Sequence, residues 1–489
     1  MPRDGNAEEA KEAPLSLIIL GASGNLAQTK IVPALFALYC QDLLPKEFNV
    51  AGFARRSMSD EAFRAKSDEH LSCRYAPGES CAEKRRGFLA RCFYVAGDYA
   101  SADAYLHLYQ SLREREGNRP ANRVFYMAIP PFLFLDVARA IGDAGLVACD
   151  PNAPFWSRAV IEKPFGEDRA SSDELVRNMG LIFAERETYR IDHYLGKELV
   201  QNLLVLRFAN GIFEPIWNRE HIAEVAISFK ENFGVGDRGG YFDQYGIIRD
   251  VMQNHLLQML ALVAMEPPAR LSPTLIRDEK AKLLRAAPPL TPDDVTLGQY
   301  ARSEVSGTSM PAYVDEPSVP HDSITPTYAL ARLRIDNPRW DGVPFALIAG
   351  KGLDTRKTEI RIRFRQPMES IFCDEDGCPL SNELVVRVQP DEAIYIRINN
   401  KRPGMGMRLV QSDLDLRYAA AYEGPMPEAY ECLLLDVIRG DKSLFIRADE
   451  LEAAWDIFTP VLHEIDRRPI RPTLYPFGSR GPVEAPDAE

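Results

Sequence analysis

The strongest constraint on the fold is a short strand-like run that leads directly into a glycine turn. Residues 15–20 are apolar and rich in β-branched side chains, and the next residues read Gly-Ala-Ser-Gly-Asn-Leu-Ala, followed by apolar positions at helical spacing over residues 30–44. A strand, a glycine turn and a helix open a dinucleotide-binding unit, in which Gly21 and Gly24 let the backbone approach a pyrophosphate at the helix N-terminus. Because the spacing is G-x-x-G-x-x-A, a tight turn without a ligand is the alternative, and the flanking strand and helix favour the dinucleotide site.

Further strand-like runs follow, and helical patterns separate them. They cover residues 48–54, 93–95, 124–129 and 158–162. Strands that alternate with helices predict a doubly wound parallel sheet, whose ligands lie beyond the carboxyl ends of the strands. Gly21, Arg55, Pro130 and Lys163 each follow a strand, so we expect these residues to share one rim of the sheet.

The sequence changes character after Pro267. Runs that alternate apolar and polar residues with a period of two cover residues 328–335, 358–364, 383–388 and 393–398. Such alternation indicates antiparallel strands with one covered face. The predicted fold is therefore α/β plus α+β: an N-terminal Rossmann-like doubly wound parallel sheet, and a C-terminal domain with a large, mainly antiparallel sheet flanked by helices.

At 489 residues the chain is longer than one core usually fills, so we expect more than one domain. The predicted division is a disordered lead over residues 1–14, a coenzyme-binding domain over 15–188, a substrate-binding and oligomerisation domain over 189–478, and a loose tail over 479–489.

Composition restricts the partners. The net charge of −13 argues against binding to nucleic acid or to an anionic membrane, and no apolar run approaches the roughly 20 residues of a membrane span. The first residues are polar and acidic, unlike a secretory signal or a transit peptide, so we expect a cytoplasmic protein. The eight cysteines show no zinc-binding spacing, which predicts free thiols and a site without metal.

One stretch, residues 189–202, concentrates polar groups. Asp192, His193, Tyr194 and Lys197 offer a carboxylate, an imidazole, a phenol and an ammonium within six positions. Such a set can hold a phosphate with the cation and two neutral donors and leave the carboxylate to orient another group. The alternative is a helix start, with Asp192 as its cap and Lys197 in solvent.

Two other positions have a functional and a structural interpretation. His255 lies in a predicted long helix over residues 246–265, where an isolated histidine among apolar residues is usually part of the core. Asp250 and Asn254 add polar atoms there, and an imidazole is suited to accept a proton near neutrality. Arg55 and Arg56 end a strand at which an arginine, rather than a carboxylate, favours the 2′-phosphate of NADP; a solvated pair is the alternative.

Five motifs together resemble the glucose-6-phosphate dehydrogenase family. They are G-A-S-G-N-L-A, V-I-E-K-P-F-G, R-I-D-H-Y-L-G-K-E, V-M-Q-N-H and R-W-D-G-V-P-F, and the likeness covers roughly residues 15–482. The resemblance implies oxidation of D-glucose 6-phosphate to 6-phospho-D-glucono-1,5-lactone with NADP+ as hydride acceptor, the first step of the oxidative pentose phosphate pathway. NAD is a possible secondary coenzyme.

The resemblance also implies roles for individual residues. His255 would be the general base and Asp192 the carboxylate that orients it. The substrate-binding residues would be Lys163, His193, Tyr194, Lys197, Glu231, Asp250, Lys351, Arg356 and Gln389. The coenzyme-binding residues would be Gly21, Ser23, Gly24, Leu26, Arg55, Pro130 and Lys163. Asn25 stands where the family usually has Asp, and a second NADP on the large sheet is left open.

The remaining expectations concern the alternatives and the assembly. A dehydrogenase of free sugars and a non-catalytic NADP sensor are the rival functions. The family associates as dimers or tetramers, so a homodimer or homotetramer is expected, and the sequence does not choose between them.

Overall fold

A computed structural model describes residues 13–76, 78–147, 153–366, 370–373 and 378–482, which form two large β-sheets with flanking helices. The strands are β1 (Leu15–Leu20), β2 (Phe48–Ala54), β3 (Cys92–Ala96), β4 (Asn122–Met127), β5 (Ser157–Glu162), β6 (Thr188–Ile191), β7 (Ile222–Lys230), β8 (Val295–Ala301), β9 (Ser303–Val305), β10 (Thr308–Met310), β11 (Tyr328–Leu333), β12 (Phe345–Gly350), β13 (Lys357–Phe364), β14 (Glu383–Gln389), β15 (Ala393–Lys401), β16 (Leu409–Arg417), β17 (Phe445–Ile446) and β18 (Thr473–Pro476).

The α-helices are α1 (Val32–Cys40), α2 (Asp60–Asp68), α3 (Glu79–Leu89), α4 (Ala102–Arg115), α5 (Phe134–Asp143), α6 (Arg169–Met179), α7 (Glu198–Phe208), α8 (Gly239–Ile247), α9 (Leu257–Ala264), α10 (Pro273–Arg285), α11 (Tyr418–Ala421), α12 (Ala429–Arg439) and α13 (Ala448–Arg467), and π-helical segments cover Ala27–Ile31 and Ile248–Leu256. Among the described residues, no helix is both long enough and apolar enough to cross a membrane.

The first sheet is the predicted doubly wound parallel sheet. Within the described chain its strand order is β17-β6-β5-β4-β1-β2-β3, and all pairs are parallel except β17 with β6. All six residues of β1 are buried, as expected for a central parallel strand that is covered on both faces. The predicted bounds of β1 and β2 are confirmed, whereas β4 lies two residues earlier than the alternation in the sequence predicts.

The second sheet confirms the mainly antiparallel C-terminal architecture. Over the described residues its order is β16-β15-β14-β13-β7-β12-β11-β8-β18. The pairs β7 with β12 and β8 with β18 are parallel, and the others are antiparallel. Central strand β13 is largely buried, while β16 at one edge is half-exposed or exposed along its length.

The C-terminal part of the chain returns to the first sheet. The two residues of β17 extend that sheet beside β6, and α13 packs against α6. The predicted boundary after residue 188 falls inside β6, since this strand begins at Thr188. In the predicted tail, Ser479 forms an isolated β-bridge with Leu353, so the tail begins in contact with the segment that follows β12. Residues 1–12 and 483–489 lie outside the described part.

The predicted long helix over residues 246–265 is interrupted. Gly246 has a φ of +65°, which ends the regular part of α8, and the chain then continues as the π-helical segment Ile248–Leu256 before α9. A π-helical turn holds more residues than an α-helical turn and occurs often at functional sites. Asp250 and His255 both lie on this segment.

The prediction that all cysteines are free thiols is wrong. Disulfides join Cys73 to Cys81 and Cys373 to Cys378, whose partners are eight and five residues apart in the sequence. The local turns that bring these partners together carry no pattern that the spacing alone reveals. The free cysteines of the described chain are Cys40, Cys92 and Cys432, and Cys149 lies outside the described residues.

Candidate active site

A buried carboxylate and an imidazole form the centre of the site. Asp192 follows β6, and His255 comes from the π-helical segment Ile248–Leu256. The Oδ1 atom of Asp192 lies 2.5 Å from Nδ1 of His255, and the two residues are 1% and 2% exposed. This contact gives His255 an ionic partner that a purely apolar core would not offer, and it favours the catalytic interpretation over the structural one.

The electrostatics of the pair define its proton positions. Burial raises the pKa of Asp192, but the adjacent His255 outweighs that effect and lowers the pKa to about 2. Burial also lowers the pKa of His255 below its ordinary value, against the opposing charge of Asp192. A charged carboxylate can only accept, so Nδ1 of a neutral His255 carries the proton and Nε2 presents a lone pair. This pair can therefore accept a proton near neutrality.

The alternative interpretation of Asp192 as a helix cap is wrong. Asp192 Oδ1 accepts a hydrogen bond from the backbone N–H of Tyr194 at 2.9 Å, within a turn. Helix α7 begins only at Glu198, and Lys197 occupies its N-cap position. The turn that separates β6 from α7 brings the four polar groups to one place.

The neighbouring aromatic rings surround the imidazole of His255. The ring of His193 lies 4.7 Å from that of His255 between centroids, at 79°, and the ring of Tyr194 lies 4.5 Å away. The hydroxyl of Tyr194 is 3.3 Å from Oγ1 of Thr358 on β13, so the second sheet supports this residue. Burial and the nearby His255 hold the pKa of His193 well below its usual range, which leaves His193 a neutral donor.

A cleft of about 570 Å³ lies beside these rings. Its lining residues are Leu26, Lys30, His193, Lys197, Glu198, Leu199, Arg356, Val388, Glu392, Met426, Pro427, Glu428, Ala429 and Tyr430. Lys197, at the N-cap of α7, and Arg356, which directly precedes β13, thus line the same cleft. Leu26 lies in the same cleft, so the glycine turn and the predicted phosphate-binding group share one opening.

Two further ion pairs join predicted substrate residues. Lys163 Nζ donates to the backbone oxygen of Asp250 at 2.5 Å and lies 3.4 Å from its carboxylate. Lys351 Nζ donates to Oε2 of Glu231 at 2.5 Å. Burial raises the pKa of Asp250, but Lys163 and Lys351 outweigh it and lower that pKa to about 2. These two lysines and two carboxylates can therefore donate hydrogen bonds to hydroxyl groups, or accept them, near the Asp192–His255 pair.

Gln389 is placed less directly. It ends β14, and its cross-strand partner is Thr358, which contacts Tyr194. Gln389 thus lies one strand away from the residue that contacts Tyr194.

On the coenzyme side, the glycine turn fits a close backbone approach. Gly21 has a φ of +87°, and a Cβ at this position would lie 2.1 Å from the backbone oxygen of Ala128. Only glycine can therefore hold the turn against β4. Ser23 and Gly24 follow it and precede the helical segment, and Pro130 lies exposed beyond β4 on the same rim. Backbone donors at an open helix start suit a pyrophosphate.

Arg55 and Arg56 are both exposed after β2. The guanidinium carbon of Arg55 lies 5.7 Å from the ring centroid of Tyr99, whereas the backbone oxygen of Arg56 accepts a hydrogen bond from Tyr94. Arg55 therefore presents a cation whose position an aromatic ring restricts.

Several residues of the site escaped sequence reasoning. Lys30, Glu392 and Tyr430 line the cleft, and Glu162 ends β5 beside Lys163. Glu162 lies within the quoted V-I-E-K-P-F-G motif, which is a signal that could have identified it. Tyr430 lies on helix α12, more than 200 residues after His193 and Tyr194 in the sequence, and no local pattern identifies it.

A possible metal arrangement also exists. Asp192, His193 and His255 each place a ligand atom within 4.8 Å of the others, a spacing that a metal ion can use. The prediction of a site without metal stays a prediction.

Comparison with known proteins identifies the family. Residues 18–202 match the model of the glucose-6-phosphate dehydrogenase NAD binding domain, and residues 204–488 match that of its C-terminal domain. The chain belongs to the glucose-6-phosphate dehydrogenase family. The predicted family is thus confirmed, and with it an oxidoreductase fold that has a nucleotide-binding domain.

Individual relatives cover almost the whole chain. Glucose-6-phosphate 1-dehydrogenase, chloroplastic, from Solanum tuberosum is 52% identical over 97% of this chain and 82% of that protein. The chloroplastic protein from Spinacia oleracea is also 52% identical, over 98% of this chain and 83% of that protein. A solved glucose-6-phosphate dehydrogenase in complex with its substrate glucose-6-phosphate has a TM-score of 0.89 at 42% identity and covers 97% of this chain and 96% of that chain.

The predicted cytoplasmic location is contradicted by these names. Five relatives at 50–52% identity are named chloroplastic, although a cytoplasmic isoform from Solanum tuberosum matches at 48%. Polar composition at the start of the chain was therefore a poor guide to the compartment.

Proposed function

We propose that this member of the glucose-6-phosphate dehydrogenase family oxidises D-glucose 6-phosphate to 6-phospho-D-glucono-1,5-lactone with NADP+ as acceptor, and that His255 is its general base. The observation that carries the proposal is the buried Asp192–His255 contact of 2.5 Å, with His193 and Tyr194 packed around the imidazole. A non-catalytic NADP sensor would not require a buried, charged carboxylate at that distance from an imidazole.

In the proposed reaction, Nε2 of His255 takes the proton of the sugar C1 hydroxyl. The C1–H bond breaks with its electron pair, the C1–O bond becomes a carbonyl, and the nicotinamide supplies the hydride acceptor when it is bound. Asp192 accepts from Nδ1 throughout and stabilises the imidazolium that forms. Lys163, Asp250, Glu231 and Lys351 offer partners to the sugar hydroxyls.

Phosphate binding is assigned to the group around the cleft. Lys197 and Arg356 supply positive charge, and His193 and Tyr194 supply neutral donors, a mixture that suits a phosphate dianion. Both cations line the cleft that Leu26 also lines. Gln389 would act through Thr358 and Tyr194.

Coenzyme binding is assigned to the rim of the first sheet. Gly21, Ser23 and Gly24 would hold the pyrophosphate, with Leu26, Pro130 and Lys163 nearby. Arg55, positioned over Tyr99, favours the 2′-phosphate of NADP over the free hydroxyl of NAD.

The substitution His255→Asn tests the proposal. We expect it to remove most turnover of glucose 6-phosphate while the affinity for NADP+ stays close to that of the wild type, because the imidazole is needed only for proton transfer. The matched control is His70→Asn, which changes an exposed histidine. Turnover by His255→Asn equal to that of the control would eliminate His255 as the base. Equal rates on free glucose and on its phosphate ester would instead favour a free-sugar dehydrogenase.

We also propose that the chain forms a homo-oligomer through the edge of the second sheet. Strand β16 ends that sheet, and Val410, Leu414 and Leu416 on it are 42%, 59% and 38% exposed. An edge strand with apolar side chains favours association. The particle mass measured by light scattering should fall to that of a monomer for Leu414→Glu, and not for Leu271→Glu, which changes an exposed leucine away from β16. A multimeric mass for both variants would refute this interface.

A further inference from the structure

A carboxyl group behind the active site joins three separate parts of the chain. Glu162 is the last residue of β5, and its Oε1 accepts a hydrogen bond from the hydroxyl of Tyr126 on β4 at 2.5 Å. The hydroxyl of Tyr430, the second residue of α12, lies close enough to Glu162 for each group to shift the pKa of the other. One carboxyl group of the first sheet therefore lies beside two phenols, those of Tyr126 and Tyr430, which are far apart in the sequence.

The side chain of Tyr430 also lines the cleft. The ring of Tyr430 lies parallel to that of His193, at an interplanar angle of 7° and a centroid separation of 6.3 Å. That separation is within the range of aromatic contacts. Tyr430 and His193 both line the cleft that contains Lys197 and Arg356. The position of the Tyr430 ring therefore limits how the imidazole of His193 can turn.

The charges around Glu162 come from a few groups. Burial raises the pKa of Glu162 to about 7; the hydroxyls of Tyr126 and Tyr430 and the charge of Lys163 oppose this rise, and Asp192 adds to it. Burial keeps both phenols protonated by raising their pKa values, so they remain donors. Above neutrality, a charged carboxylate can accept both hydrogen bonds at once.

We propose that Glu162 is a positioning residue for phosphate binding: by accepting from Tyr126 and Tyr430, it fixes the Tyr430 ring against His193 and so orients that imidazole toward the phosphate of the substrate. Identification of the ligand as glucose 6-phosphate rests on the proposed function. Glu162 itself touches neither substrate nor coenzyme in this proposal. Its effect passes through Tyr430 and His193.

The main test compares three variants at about pH 8, where Glu162 is charged. In Glu162→Gln the acceptor is a neutral amide with a single oxygen, so the hydrogen bonds from the phenols lose their charged acceptor and become weaker. In Tyr430→Phe the ring stays beside His193 but the hydrogen bond is lost. We expect both variants to raise KM for glucose 6-phosphate about three- to tenfold, the size of one hydrogen bond, and to leave KM for NADP+ within about twofold. Titration calorimetry with glucose 6-phosphate should show the same loss of affinity.

A double-mutant cycle separates positioning from a general structural effect. In a His193→Ala background, Glu162→Gln should raise KM for glucose 6-phosphate by less than about twofold, because the imidazole that it orients is gone. The same increase in both backgrounds would overturn the proposal, and so would equal increases in KM for both substrates. Circular dichroism and thermal midpoints of all variants check folding. If the wild type fails to oxidise glucose 6-phosphate, the proposed function itself fails; an active wild type with no coupling to His193 removes only the role of Glu162.

Discussion

The contact between Asp192 and His255 permits a quantitative test through Asp192→Asn. The carboxylate oxygen lies 2.5 Å from Nδ1, and both side chains are almost completely buried, so solvent cannot replace the lost charge. An amide can accept from Nδ1 only as a neutral dipole. If its NH2 group faces the ring instead, Nδ1 becomes the acceptor and the proton moves to Nε2, where it blocks proton abstraction. Both outcomes weaken the base and leave the fold nearly unchanged.

The size of the loss follows from the hydrogen bond to a charged group. Such a bond contributes about 1.5–3 kcal/mol, and each 1.36 kcal/mol in the barrier changes the rate about tenfold. We therefore expect kcat to fall by about 13- to 160-fold, and further if the amide is turned.

The pH profile gives an independent measure. The charge of Asp192 raises the pKa of His255 against burial. Since the proposed base works in its neutral form, we expect wild-type activity to be lost as pH falls through the pKa of His255, which burial holds below its ordinary value. Without the carboxylate this pKa decreases further, so the acid limb of the Asp192→Asn variant moves to lower pH even though its maximum rate is smaller.

The assay follows the absorbance of the reduced coenzyme from about pH 5 to about pH 8, at saturating concentrations of both substrates. Asp192→Asn in a His255→Asn background is the control, and there it should cost little, because the two residues act as a unit. An acid limb that moves to higher pH, or a kcat within twofold of the wild type, would refute the reasoning.

Three further predictions follow from the structure. Lys197→Ala should raise KM for glucose 6-phosphate far more than KM for NADP+, because it removes an ion pair to the phosphate; equal increases measured in steady-state kinetics would contradict this. Arg55→Ala should reduce kcat/KM for NADP+ much more than for NAD+, and equal losses would show that Arg55 does not read the 2′-phosphate. Lys280 and Glu450 form an ion pair of 2.8 Å, and both side chains are 0% exposed. Lys280→Met leaves the carboxylate buried without its partner, so the free energy of unfolding measured with urea should fall by about 3–5 kcal/mol; the additional change Glu450→Leu removes that carboxylate and should restore most of the lost free energy.

Local patterns predicted the parts of the fold that depend on local chemistry. The apolar runs of β1 and β2 are buried on both faces, so their hydrophobic limits coincide with their structural limits. The same approach missed the two-residue strand β17, which forms only because the distant C-terminal part returns to β6. It also treated the segment that carries His255 as a regular helix, because π-helical geometry has no distinct sequence period.

The candidate site divides in a similar way. Asp192, His193, Tyr194 and Lys197 are adjacent in the sequence and could be identified together, and the structure adds that a turn rather than a helix presents them. Tyr430 could not be found, because its relation to His193 depends on how α12 docks against the first sheet. A sequence pattern can thus identify residues by the chemistry of their side chains, but it misses residues such as Tyr430 whose contacts depend on the tertiary fold.

The cations around Lys197 are the reason to expect a phosphate ester in the cleft. The cleft brings together three cations and three carboxylates, namely Lys30, Lys197, Arg356, Glu198, Glu392 and Glu428. Burial lowers the pKa of Lys197, Glu392 opposes that change, and the charges of Arg356 and Lys30 add to it. A phosphate dianion among these cations would relieve their mutual repulsion and favour the charged ammonium, whereas a free sugar would do neither. Because the protein has a net charge of −13 and carboxylates accompany these cations, we expect any discrimination between phosphorylated and free sugar to come from contacts inside the cleft rather than from attraction over long distances.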